Sequence, residues 1–335
     1  MVLKKPSYFV VSFILLFGLL FPFSTSTSAA GTASVQKNKN NVEMTSEQYD
    51  NLLNLGFTEK QIANMDQEEF ARNKDLKGKV VATSKHYLKI TEDSKGNSIV
   101  KNLDKKTYDT EVAIEKEKIK KERASSKRAK TISLTPTSFA TAALANIPND
   151  DSSTSYKTMT TLIIKFSSRQ FRVRNHIDWH IMPAIRGTDV SGVTLNSQWL
   201  QNPGTQYARQ DWTTFDNCSL EKTASAVYTK SSDKWNPGLH GYALRMNLPN
   251  DKMVYCGGYS SPQVVDDLSS YMYYDISPVT AATPARADAI GQYFHLKIDL
   301  NPSITIGWKT LEFSVSPSYA YSEHIPRTQA VIYNK

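Results

Sequence analysis

From Phe171 to Ile181 the chain reads Phe-Arg-Val-Arg-Asn-His-Ile-Asp-Trp-His-Ile. Successive side chains on a β-strand point to opposite faces. Phe171, Val173, Ile177, Trp179 and Ile181 therefore share one face, with Asn175 its one polar member, and Arg172, Arg174, His176, Asp178 and His180 share the other. A strand of this kind has one apolar face that needs a second layer to cover it. The pattern is not isolated. Aromatic and β-branched runs recur at Leu162–Phe166, Leu239–Met246, Met253–Gly257, Tyr271–Ile276, Tyr293–Leu300, Ile304–Trp308, Leu311–Val315 and Gln329–Tyr333, separated by Gly, Pro, Asn and Asp. Many short strands with turn signals between them predict an all-β domain over residues 157–335, an antiparallel sandwich or barrel. A stretch of that length suffices for one sizeable core.

The region before it has a different character. Thr45 with Gln48, Thr58 with Gln61 and Asp66 with Glu69 each place an N-capping side chain three residues before a Gln or Glu, which predicts three short helices over 45–74. Gly56 ends the first, since glycine accepts the left-handed turn. Val80, Val81, Tyr87, Leu88 and Ile90, then Ile99 and Val100, predict a hairpin turning at residues 93–97. Residues 45–109 thus read as a small helical module plus hairpin, preceded by a disordered lead at 31–44. A charged helix from Thr110 to Arg128 follows, with Glu115 and Lys118 one turn apart. Its apolar positions Val112, Ile114 and Ile119 are too few for a buried face, so a solvent-bathed connector is expected. Ser, Thr, Ala and Pro over 131–156 complete a linker region taken as 110–156.

Lys4 and Lys5, the apolar run Phe9–Phe23 and the small residues Ser28 and Ala30 have the order of a cleavable secretory signal over residues 1–30, with the cut between Ala30 and Gly31. The apolar run is shorter than the ~20 residues of a membrane span. The expectation is a secreted, extracellular chain with no stable membrane anchor after cleavage. Cys218 and Cys256 are the only cysteines, and an even count in an exported chain predicts a disulfide.

The segment Leu-Gly-Phe-Thr-Glu-Lys-Gln-Ile-Ala-Asn-Met-Asp-Gln-Glu-Glu-Phe within residues 52–70 resembles a short helical module near the N-termini of uncharacterised exported proteins of Gram-positive bacteria. That resemblance implies bacterial secretion and brings no catalytic residues.

The 40 Lys and Arg outweigh the 32 Asp and Glu by eight. Residues 31–130 carry 21 basic and 16 acidic side chains, whereas residues 131–335 carry 17 and 16. Basic charge so interleaved with acid is a solvated surface and excludes a nucleic-acid footprint, though it favours contact with an anionic surface. Two imidazoles and a carboxylate at His176, Asp178 and His180 recur about 6–7 Å apart along one strand face, a spacing that admits a metal; a polar outer face shows the same alternation. No other cofactor is expected. Arg172 and Arg174 are candidates for an anionic ligand. Trp199, Trp212 and Trp235 lie in polar, turn-rich contexts and are candidates for stacking on sugar rings. No Gly-x-Ser-x-Gly elbow and no phosphate-cradling glycine loop is present. The sequence therefore points first to a non-catalytic, exported binding or surface-associated β-protein, with cell-wall carbohydrate or an anionic surface polymer as partner. Its rivals are a processed precursor, in which 31–130 is a propeptide for a β-rich effector or toxin, and a metal-dependent hydrolase.

Overall fold

The computed structural model describes residues 35–92, 98–129, 154–216, 221–256, 259–282, 284–296, 303–306, 313–316, 318 and 321–333. In chain order its elements are β1 (Val35–Lys37), β2 (Glu43–Thr45), α1 (Ser46–Asn54), α2 (Glu59–Asn64), α3 (Gln67–Asn73), β3 (Lys79–Glu92), β4 (Ser98–Leu103), α4 (Lys105–Ala129), β5 (Thr154–Lys165), β6 (Phe171–Ile181), β7 (Thr188–Leu195), β8 (Trp199–Gln201), β9 (Tyr207–Phe215), β10 (Lys222–Tyr228), β11 (Trp235–Gly238), β12 (Gly241–Asn247), β13 (Lys252–Cys256), β14 (Tyr259–Pro278), β15 (Arg286–Leu296), β16 (Ser303–Ile306), β17 (Phe313–Ser316), β18 (Tyr321–Glu323) and β19 (Thr328–Tyr333).

The strands form two main antiparallel sheets. Nine belong to a large sheet of order β10-β9-β14-β6-β5-β3-β4, with β8 and β13 also paired to β14. Six belong to a smaller one of order β11-β12-β7-β15-β18, with β19 also paired to β15. Their inner faces pack into one core, where Ile163, Val173, Trp179 and Met272 of the large sheet meet Val193, Leu195, Leu244 and Ile332 of the small one. This is the sandwich solution to the one-sided strands read from the sequence.

Several polar side chains that enter this core are paired across it. Tyr274 Oη donates to Val193 O at 2.8 Å and Trp199 Nε1 to Arg286 O at 2.9 Å. Asn175, the polar member of the inner face, donates through Nδ2 to Ser191 Oγ at 3.0 Å and accepts from Thr161 Oγ1 at 3.2 Å. Gly291 faces this group, and a Cβ there would run into the Thr161 and Thr328 hydroxyls and the Asn175 amide oxygen.

The three N-terminal helices form where their caps predict. Thr45 and Thr58 each close a full capping box with Gln48 and Gln61. Gly56 takes φ 79°. Asp66 caps α3, accepting from Glu69 N at 2.8 Å. The Glu69 side chain does not complete a third box, because it points into the large sheet and accepts from Tyr271 Oη at 2.7 Å.

Five expectations are corrected. The lead is ordered in part: β1 and β2 pair, Val42 and Met44 are buried, and Asn38 donates to the Ile62 and Met65 carbonyls at the end of α2. The 78–103 hairpin does not belong to a separate module. β3 pairs with β5 from Lys79↔Lys165 to Thr91↔Thr154, and its Leu88 and Ile90 enter the inter-sheet core. Helix α4 begins five residues early, at Lys105, because Asp104 caps it by accepting from Thr107 N at 3.0 Å. Nor is α4 wholly bathed in solvent, since Tyr108, Val112 and Ile119 pack with Leu103, Tyr156 and Ile181. Ile181 thereby leaves the inner face assigned to it. A bulge sets Tyr156↔Ile181 beside Lys157↔Trp179, so His180 has no partner residue and the alternation changes phase there.

One consequence concerns processing. Cleavage within 130–153 is expected to leave residues 35–129 bound to the remainder, because β3 lies between β4 and β5 in the continuous sheet. Two bands on a denaturing gel that co-elute in native gel filtration would agree. Separate elution would show that the first segment leaves as a propeptide.

Candidate functional site

The outer face of the large sheet carries two coverings. Phe57, Ile62, Met65 and Phe70 of the three-helix module pack on Leu162, Ile164, Tyr207, Tyr271 and Tyr273, and α4 covers the far ends of β5 and β6.

Arg172 and Arg174 lie under the module rather than on a wet face, at 5% and 1% exposure. Their placement as free ligand contacts is corrected accordingly. Arg172 donates to Asp275 Oδ1 at 2.6 Å and to Asn73 Oδ1 at 2.5 Å, with its guanidinium 4.3 Å from the Tyr273 ring centroid. Arg174 donates to Gln61 Oε1 at 2.5 Å between the rings of Phe57 and Tyr271, at 4.2 and 4.4 Å. Arg209 of β9, which the sequence did not single out, donates to Asp66 Oδ2 and Asp211 Oδ1, both at 2.9 Å. These arginines anchor the module, each stacked or paired as a guanidinium allows.

Glu69 lies at the centre of this interface with no exposure, and its Oε1 has no hydrogen-bond partner among the described residues. Burial pushes its pKa up to about 7, against the opposing pull of the Tyr271 hydrogen bond, Arg174 and Arg209. The unfolded carboxyl ionises near its ordinary value, so the contribution of Glu69 is fully present below about pH 4.5 and is lost as pH rises through 7. The loss is on the order of 3 kcal/mol. Glu69→Gln is expected to remove that pH dependence and to exceed the parent in stability at about pH 8.5. Urea unfolding of both proteins at about pH 5 and 8.5 measures it; an unchanged pH slope in the variant would assign the effect elsewhere.

Between the two coverings lies a part-buried strip holding His176, Asp178 and His180. His176 Nε2 lies 2.9 Å from Asp178 Oδ1, 3.1 Å from Ser269 Oγ and 3.0 Å from Gln61 Nε2. Asp178 Oδ2 accepts from Thr158 Oγ1 at 3.3 Å. Burial opposes the charge on Asp178, yet the His176 imidazole, its hydrogen bond, Ser269 and His180 together hold the carboxyl well below the usual range. His180 turns away at the bulge to face the Tyr108 ring, centroid to centroid 5.8 Å, and burial lowers its pKa. Exposed Lys85 and Lys116 act electrostatically on His180 from the β3 and α4 sides, and Lys60 of the module pairs with Asp267 at 2.9 Å.

Chemically this strip is a set of polar side chains without a relay or a metal cage. Ser269 and Asp178 meet the same His176 nitrogen, whereas a nucleophile–base–acid relay needs them on opposite ring nitrogens. No three His, Cys, Asp or Glu side chains among the described residues converge as metal ligands. Ser269 leaves no signal in its own segment, because only the pairing of β14 with β6 sets it opposite Asp178.

The tryptophans are placed differently from the stacking role given to them. Trp199 is wholly buried and Trp235 is 8% exposed, both inside the sandwich core, while Trp212 is partly buried against it. Trp199 and Trp235 spend their indole N–H groups on backbone carbonyls of Arg286 and Thr229. The turn-rich context marked strand ends packed into the core, not a rim. Ala30, Gly31 and Cys218 lie outside the described residues, and with them the signal cleavage and the Cys218–Cys256 bridge.

A second constellation, in the interior, was not anticipated. Lys157, Asp189, His295 and His324 are all fully buried between the sheets. Asp189 accepts from Tyr293 Oη, from Leu296 N at 2.9 Å, and lies 2.9 Å from His295 Nδ1. The Lys157 Nζ sits 3.4 Å from the Tyr293 ring centroid and 4.9 Å from that of Trp179. Burial lowers the lysine pKa well below its ordinary value despite Asp189.

No family model matches the chain, and no curated protein matches it. Among solved structures, a chain described as "Pore forming protein" matches over 53% of this chain and 84% of its own length, with 7% identity and a TM-score of 0.20. A likeness at that TM-score carries no argument about fold or function.

Proposed function

We propose that this is an exported binding protein, and that the strip between the helical module and α4 is the surface with which it engages an anionic polymer of the bacterial surface. The observation that carries this reading is the convergence of Lys60, Lys85 and Lys116 on one strip beside His176 and His180, where they outnumber the carboxylates Asp178 and Asp267. The three lysines come from three separate elements: α2, β3 and α4. The sandwich supplies a rigid floor, and the anchored module and helix supply the walls. Such a surface attracts phosphate- or carboxylate-bearing chains through charge and hydrogen-bond donors without a dedicated pocket. Its interaction should weaken as salt rises.

Co-sedimentation with purified Gram-positive cell walls tests the reading. Retention is expected on intact walls, with loss on walls stripped of their anionic polymers. The double substitution Lys85→Glu and Lys116→Glu is expected to reduce retention at least about ten-fold, since each replacement turns an attraction into a repulsion. Equal retention on stripped walls, or by the double variant, would remove the strip as the binding surface.

A further inference from the structure

The interior constellation treats its two imidazoles unequally. His295 has carboxylates on both sides: Nδ1 is 2.9 Å from Asp189 Oδ2, and Nε2 is 3.5 Å from Glu92 Oε1. His324 has none. Neither of its ring nitrogens finds a hydrogen-bond partner among the described residues, and its ring is fully buried. It lies against the rings of Trp179, Tyr293 and His295, at centroid distances of 6.1, 5.6 and 5.3 Å. A second proton on His295 would meet two carboxylates. A second proton on His324 would meet aromatic faces, the His295 ring and the Lys157 amine, which acts on it as a like charge.

The position of His324 in the chain gives this asymmetry a mechanical outlet. It immediately follows β18, a strand of three residues whose ladder to β15 spans only Phe294↔Glu323 to Leu296↔Tyr321. The His324 amide donates to Tyr293 O at 2.9 Å, extending that ladder by one bond. The segment then turns into β19, which pairs with the other half of β15. His324 is thus the side chain that plugs the C-terminal segment into the core.

We propose that His324 is an acid-operated latch: neutral, its ring seats among Trp179, Tyr293 and His295 and holds residues 321–333 on β15; protonated, it leaves the core and frees that segment. The reading does not depend on the cell-surface ligand proposed above. Burial, Lys157 and His295 all push the His324 pKa well below its ordinary value, so the stability it lends is present above about pH 6.5 and is lost as pH falls below it. The other groups facing the cluster act as follows. Asp189 is held by three donors. Burial raises the pKa of Glu92, against the pull of His295, so mild acid removes one of the two partners of His295. Lys157 is driven toward its neutral form, and regains charge as pH falls. Both changes place more uncompensated positive charge around Trp179 in acid. Departure of the latch would uncover Trp179 and Tyr293, an apolar surface that exists only at low pH.

Hydrogen exchange of the mature chain, normalised at each pH to the intrinsic amide rate, tests the latch between about pH 7.5 and 5. Protection of 321–333 is expected to fall at least about ten-fold further than that of β5 and β6, as one unit of proton linkage would produce. His324→Phe keeps an aromatic plug without a titratable group and is expected to abolish the excess loss. His324→Met serves the same purpose if the phenylalanine variant does not fold. Acid loss of protection that is uniform over the sandwich, or an excess loss that persists in either variant, would overturn the proposal.

Discussion

Trp179→Ala is expected to lower folding stability by about 3–5 kcal/mol, the range for emptying a large buried aromatic site. The indole is 1% exposed and stands between the sheets. Its Nε1 donates to Tyr293 Oη at 3.2 Å, and its ring lies 6.0 Å from Tyr293, 5.9 Å from His295 and 6.1 Å from His324. The Lys157 amine rests on its face. Alanine would therefore leave a cavity, remove a donor from Tyr293 and withdraw part of the aromatic shelter around a buried amine. Rigid strands on both sides limit collapse into the space, which favours the upper part of the range. Urea unfolding should show a lower midpoint with an unchanged slope. A loss below about 1 kcal/mol would mean that the two sheets do not pack through this residue.

By contrast, the histidines of the outer strip are more than a solvated face. His176 is 13% exposed and bridges Gln61 of the module to Asp178 and Ser269 of the sheet. Removing it leaves a half-buried carboxylate short of its main partner. A loss of about 1–2 kcal/mol is the consistent expectation, rather than the few tenths of a solvated residue.

Those contacts mark the limit of what alternation tells. The pattern of Phe171–Ile181 specified a strand, its inner face and the need for a second sheet, because burial on one side of a strand has period two. The caps at Thr45, Thr58 and Asp66 specified three helices, because orphan amides are satisfied locally. Neither signal reports what lies on the polar face. Arg172 and Arg174 read the same in water or beneath a module that offers them Asn73, Gln61 and aromatic faces. Likewise, β3 reads as half of a local hairpin, since its ladder to β5 joins residues some seventy apart and leaves no mark in its own segment. The bulge at His180 is also non-local, being set by the pairing with β5, and it transferred Ile181 to the opposite face. The interior site was least legible of all. Lys157, Asp189, His295 and His324 are isolated polar residues at four distant positions, and only the packing of β5 on the β7–β15 pair, with His324 brought in at the end of β18, puts them together.

Asp189→Ala is expected to cost about 3–5 kcal/mol, the range for breaking a buried ionic network by removing one partner. The carboxylate is fully enclosed and serves three donors at once: the Tyr293 hydroxyl, the His295 imidazole and the Leu296 amide. Alanine leaves all three buried without their acceptor, and each such group carries its own desolvation penalty. It also removes the one carboxylate whose field opposes the drive of Lys157 toward its neutral form. The loss should therefore grow in acid, where Lys157 regains charge without Asp189 to offset it. A double-mutant cycle separates the network from the cavity. Adding His295→Phe to Asp189→Ala should cost much less than His295→Phe alone, because the imidazole has already lost its principal partner, and a coupling of about 1–3 kcal/mol is expected. Strict additivity of the two changes would show that Asp189 and His295 stabilise the sandwich independently, and that the interior site is not a single electrostatic unit.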